Sequence, residues 1–102
     1  TPIGIVGSVD QHSFLQLIIE GPRDKTVTMI KVDDFENNLT IPDITIPHLE
    51  KTNFINTRSF NTLINAQCDA TMQSITDQNV PLDLITIDRL TERSVGYMIF
   101  YY

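Results

Sequence analysis

The sequence has a single cysteine, Cys68, and therefore forms no internal disulfide. It has no tryptophan and only four glycines, and its seven lysines and arginines are outnumbered by thirteen aspartates and glutamates. The resulting formal charge of -6 opposes phosphate backbones and anionic lipid surfaces, so nucleic acid is not an expected partner. No long uncharged apolar run is present, which excludes a membrane span and a membrane partner. No charged-then-apolar leader is visible, and with one unpaired cysteine the expected location is the reducing cytoplasm. There is no phosphate-cradling glycine loop of either nucleotide-binding type and no metal-ligand spacing, so no cofactor and no metal are expected.

What is present is a globular composition, 41% hydrophobic and 20% charged over 102 residues. That is one domain at most, with a small core, because a unit of this size buries only about two thirds of its unfolded surface. The chain opens at Thr1-Pro2 without an initiator methionine and reaches an apolar run by Ile3. It closes on Phe100-Tyr101-Tyr102 with no capping residue. Residues 1–102 are therefore expected to be a single partial domain excised from a longer protein.

Ile3 to Val6 reads as a short buried strand, and Gly7-Ser8-Val9-Asp10 as the turn after it. Leu15, Ile18 and Ile19 then recur at helical spacing, with Phe14 and Leu17 beside them. Ser8 or Asp10 is available as a cap, and Gly21-Pro22 supplies the stop. Lys25 to Val32 predicts a second strand. Asp33 to Arg58 is irregular, with Thr40-Ile41-Pro42 echoed at Thr45-Ile46-Pro47, and its isoleucines are expected to pack on parts of a longer parent. Phe60, Leu63, Ile64, Cys68, Met72 and Ile75 form the sheet-facing stripe of a helix over Ser59 to Asp77. A strand over Leu82 to Asp88 follows. The last helix is capped by Thr91 and carries Val95, Met98, Ile99 and Tyr102. Helices alternating with strands predict an α/β fold, a three-layer α/β/α arrangement with a mostly parallel sheet.

In open parallel sheets ligands bind beyond the carboxyl ends of the strands, where strand-to-helix turns converge. Gly7 to His12 is such a turn, and its helix start offers unpaired N–H groups and positive dipole to an anionic or polar oxygen. Placed in the first helical turn, His12 is biased toward a neutral imidazole that can accept a proton and return it. Gln11 beside it is a candidate for hydrogen bonding to substrate. His48 follows Pro47 without a glycine turn and reads as a surface residue, while Asp33, Asp34 and Glu36 lack the spaced ligands of a calcium loop and read as a solvated acidic segment. Cys68 lies on an apolar stripe next to Asp69 and reads as core rather than nucleophile. The aromatics from Tyr97 to Tyr102 have the spacing of packing residues. Asn38-Leu39-Thr40 fits the glycosylation pattern by chance.

The stretch Pro2 to Leu17, with Gln11-His12-Ser13-Phe14-Leu15-Gln16-Leu17 after a glycine-containing turn and Gly21 a few residues on, resembles the catalytic-histidine segment of the glucose-6-phosphate isomerase family. The likeness to bacterial members continues through Phe60 to Ser74 and on to the end. It implies a portion of a C-terminal sugar-isomerase domain that uses no metal and no redox cofactor and interconverts glucose 6-phosphate and fructose 6-phosphate in glycolysis and gluconeogenesis. The family histidine moves a proton at the ring oxygen during ring opening. A glutamate then carries a proton between C1 and C2 through an enediol, and a lysine contacts the sugar. Only the histidine has a counterpart here, His12; the resemblance places the glutamate before Thr1 and the lysine after Tyr102. It also implies a homodimer in which the histidine reaches the neighbouring subunit's site. Asp10 and Leu15 depart from the glycine and tyrosine common at those positions. A non-catalytic sugar-phosphate-binding regulatory module is the competing reading, and a segment serving mainly as dimer interface is a third.

Overall fold

A computed structural model describes residues 1–37 and 39–101. Asn38, the acceptor of the glycosylation pattern, and Tyr102, the last aromatic of the C-terminal stripe, lie outside the described residues. The elements run α1 (Gly7–Glu20), β1 (Val27–Asp34), a 3₁₀ turn (Glu50–Ile55), α2 (Phe60–Asp77), β2 (Leu82–Arg89) and α3 (Glu92–Tyr101). β1 and β2 pair in parallel, from Val27 opposite Leu82 to Asp34 opposite Arg89. Parallel neighbours require a crossover, and α2 supplies it. The chain is thus α/β, as its alternating periodicity predicts.

The caps follow from short-range chemistry. Ser59 accepts the Thr62 N–H at 3.1 Å and opens α2. Thr91 accepts the Ser94 N–H at 3.1 Å and opens α3, while the Ser94 hydroxyl donates to the Arg89 carbonyl at 2.7 Å and ties that helix to the end of β2. At α1 the carboxylate of Asp10, in the first turn, accepts the N–H of the N-cap residue Val6 at 2.8 Å.

The other end of α1 depends on Gly21. Its N–H donates to the Leu17 carbonyl at 3.1 Å, and a Cβ added at Gly21 would lie inside van der Waals contact with that same oxygen. The obstacle is backbone, so a side chain there must push the helix end apart. Gly21→Ala is expected to destabilise the fold by about 1–3 kcal/mol, the usual range for overpacking, measured as a lower urea midpoint with unchanged m-value. An unchanged midpoint would show that the helix end relaxes freely.

Packing is thin. Among the described residues the buried apolar ones are Ile75 of α2, Val80 just before β2, and Ile87 of β2. Around them Leu63, Cys68 and Met72 of the α2 stripe are half-buried, while Phe60 and Ile64 of the same stripe stay exposed. On α1 the half-buried residues are Asp10, Gln11, Phe14, Leu15, Ile18 and Ile19, the stripe that helical spacing predicts, and α1 packs alongside α2. The radius of gyration is 16.2 Å over extents of 47 × 37 × 19 Å, against about 13 Å for a compact chain of this length.

Three expectations are revised. Ile3 to Val6 forms no strand; Ile3 is 74% exposed, and among the described residues no strand pairs with the segment. A strand apolar on both sides needs a paired neighbour and a layer over each face, and β1 and β2 with their helices do not supply both there. The aromatics of α3 are not buried: Tyr97, Phe100 and Tyr101 are exposed, while Val95 and Met98 are half-buried. The Asp33–Arg58 segment is irregular but not shapeless. A bridge between Thr40 and Ser59, the Ile41 N–H on the Arg58 carbonyl and the Thr57 N–H on the Ile41 carbonyl close it at its base. Thr57 takes φ 62° to make that closure, an unusual backbone for a β-branched residue. Ile44, Ile46, Leu49 and Phe54 remain exposed upon it.

Candidate active site

α1 begins at Gly7, earlier than the glycine turn predicts, because Gly7 to Asp10 is itself helical. His12 therefore lies in the second turn, past the unpaired N–H groups, where the effect of the helix end has faded. The first-turn placement is corrected accordingly. His12 is exposed, and among the described residues no side-chain hydrogen bond involves it. It is free to meet a group brought from outside the chain.

Gln11 is turned the other way. Its Nε2 donates to Thr71 Oγ1 at 3.1 Å, and its Oε1 accepts from Gln67 Nε2 at 2.7 Å, both on α2. Thr71 Oγ1 donates in turn to the Gln67 carbonyl at 2.9 Å. Successive helical residues point about 100° apart. With Gln11 aimed at α2, His12 is carried out of the helix–helix seam. Gln67 and Thr71 give no signal in the sequence beyond being polar and four apart on the flank of an apolar stripe.

The remaining candidates stay apart from His12 in role. His48 sits exposed at φ 69°, its N–H donating to Glu50 Oε1 at 3.0 Å. The backbone N–H groups of Glu50 and His48 hold the Glu50 carboxyl below its ordinary value. The acidic segment is partly paired: Arg89 reaches Asp34 at 3.7 Å and Glu36 at 3.6 Å across the carboxyl end of the sheet. Asn61 and Asn65 of α2 donate to the Asp33 carbonyl at 2.9 and 3.1 Å, which anchors the chain as it leaves β1. The Cys68 thiol is pushed up by burial against the opposing pull of Lys31, the wrong direction for a nucleophile. Lys31 is held by Asp69 at 2.6 Å. Among the described residues no helix is long and apolar enough to cross a membrane.

No family model matches the chain. A glucose-6-phosphate isomerase of Campylobacter jejuni is 43% identical over 102 residues, all of this chain and 25% of the relative. The resemblance to glucose-6-phosphate isomerases thus holds over the whole chain. A glucose-6-phosphate isomerase of Rubrobacter xylanophilus is 35% identical over 98 residues, and a probable glucose-6-phosphate isomerase of Methanococcus maripaludis is 31% identical over 102. The chain spans about a quarter or less of the length of these curated relatives. A crystal structure of a hypothetical protein from Thermus thermophilus superposes on 91% of the chain with a TM-score of 0.82 at 22% identity, covering 22% of that protein. That likeness speaks to the fold.

Proposed function

We propose that this chain is the histidine-bearing part of a glucose-6-phosphate isomerase, excised from its C-terminal sugar-isomerase domain, and that His12 is the acid/base of ring opening. The observation that carries the reading is the continuity of similarity to enzymes of that name around a histidine whose imidazole projects into solvent.

Opening the sugar ring breaks the bond between the anomeric carbon and the ring oxygen. The ring oxygen gains a proton and the anomeric hydroxyl loses one, leaving a carbonyl. A protonated imidazole within reach of the ring oxygen delivers the first proton, water takes the one released by the anomeric hydroxyl, and both transfers reverse on closure. The enediol step between C1 and C2 then falls to a carboxylate outside residues 1–102. The parent is a cytoplasmic homodimer in this reading, its substrates are glucose 6-phosphate and fructose 6-phosphate, and the outward imidazole of His12 serves a neighbouring subunit's site.

The test is the full-length enzyme with His12→Ala, assayed from fructose 6-phosphate beside the unmodified enzyme. A fall in kcat of about a hundredfold or more, with dimerisation and folding intact, is expected for loss of a proton-transfer group. A rate within about twofold of the parent would make His12 a bystander.

A further inference from the structure

His12 is placed by α1, and α1 has little to hold it in register. It contains no buried residue, it packs alongside α2, and most of the side chains it half-buries are apolar. Apolar contacts are non-directional and tolerate sliding and rotation of one helix on another. A polar group within such a seam removes that freedom, because hydrogen bonds are satisfied at one register only.

From the Gln11–Gln67–Thr71 chain of hydrogen bonds we infer that Gln11 is a positioning residue, which fixes the register of α1 on α2 and thereby the location of the His12 imidazole. The inference rests on the catalytic reading of His12. The network admits one polarity. Thr71 commits its hydroxyl proton to the Gln67 carbonyl, so toward Gln11 it can only accept, and the Gln11 amide must present Nε2 to Thr71 and Oε1 to Gln67. Both ends of the amide are thereby engaged by α2. Gln11 heads the half-buried stripe that continues through Phe14, Leu15, Ile18 and Ile19, so the network locks the end of α1 nearest the histidine. A displacement of about 1 Å in a reacting group can cost a hundredfold in rate. A slackened register therefore lowers kcat without changing what the substrate touches.

The test compares Gln11→Leu, Thr71→Val, Thr71→Ser and His12→Ala in the full-length enzyme, with Thr71→Val also built on His12→Ala. Thr71→Val keeps size and removes the acceptor oxygen, so it reports on the network even if Gln11→Leu fails to fold. Expected are a fall in kcat of about tenfold for Gln11→Leu and Thr71→Val with KM within about twofold, near-parental kcat for Thr71→Ser, and no further loss from Thr71→Val once His12 is absent. Unchanged kcat in Thr71→Val and Gln11→Leu, or losses that multiply in full with His12→Ala, would overturn the positioning role while leaving His12 catalytic. A raised KM in Gln11→Leu with Thr71→Val silent would overturn it in favour of a direct substrate contact. If His12→Ala itself retains a near-parental rate, the catalytic reading fails and the positioning role falls with it, an outcome seen in that variant alone.

Discussion

The isolated 102-residue chain is expected to give no measurable interconversion of fructose 6-phosphate and glucose 6-phosphate under conditions where the full-length enzyme turns over freely. Proton transfer by one placed side chain contributes about 10² to 10⁴ in rate. Isomerisation needs at least two such transfers, one at the ring oxygen and one between adjacent carbons. His12 stands exposed, and it lines neither the hollow along Leu90 to Ile99 nor the one around Ile18, Pro22 and Val80. A histidine without an enclosing site also forfeits the orientation that makes its proton transfer effective. The measurement is a coupled assay on the purified chain, with the full-length enzyme as reference and an inactive variant as blank. Turnover at even a hundredth of the full-length rate would mean that residues 1–102 hold a complete catalytic set and that the proposed division of labour is wrong.

The largest effect on stability is expected from Ile75→Ala. Ile75 is 1% exposed, the most deeply buried apolar residue among the described residues, with Val80 and Ile87 the others that are buried. Removing a fully buried isoleucine side chain down to Cβ costs about 2–5 kcal/mol, the lost transfer energy plus the cavity left behind. Net stabilities of whole domains are only about 5–15 kcal/mol, and this chain has few buried groups to draw on. Circular dichroism in urea should show the variant losing most or all of its cooperative transition. Ile64→Ala on the same helix supplies the control. Ile64 is 41% exposed, and its truncation should shift the midpoint far less. Equal shifts for the two would mean that the stripe is buried uniformly and that Ile75 is not its centre.

These outcomes depend on features of different legibility. The Ser59 and Thr91 caps, the stop at Gly21 and the stripes of α1 and α2 are all visible as residue types at short spacings, because each is settled within about one helical turn. The same holds for His12, whose neighbours in sequence carry the resemblance. Element type was legible for β1 and β2 for a similar reason: alternation marks a strand with one face toward a covering layer.

Other properties depend on partners far away in the chain. Ile3 to Val6 has the composition of a strand, but a strand exists only where a neighbour accepts its hydrogen bonds, and none among the described residues does so. Periodicity groups Phe60 and Ile64 with Ile75, yet Ile75 is buried while the other two stay exposed. Gln11 and His12 are adjacent polar residues, and nothing local distinguishes them. By itself the sequence determined the three helices, the strands β1 and β2, where α1 stops, and which histidine to watch, since propensity, capping and periodicity act over a few residues. Only the tertiary structure decided that Gln11 turns to Gln67 and Thr71 and His12 turns outward, because packing α1 on α2 gives one of two neighbouring side chains a partner and leaves the other facing solvent.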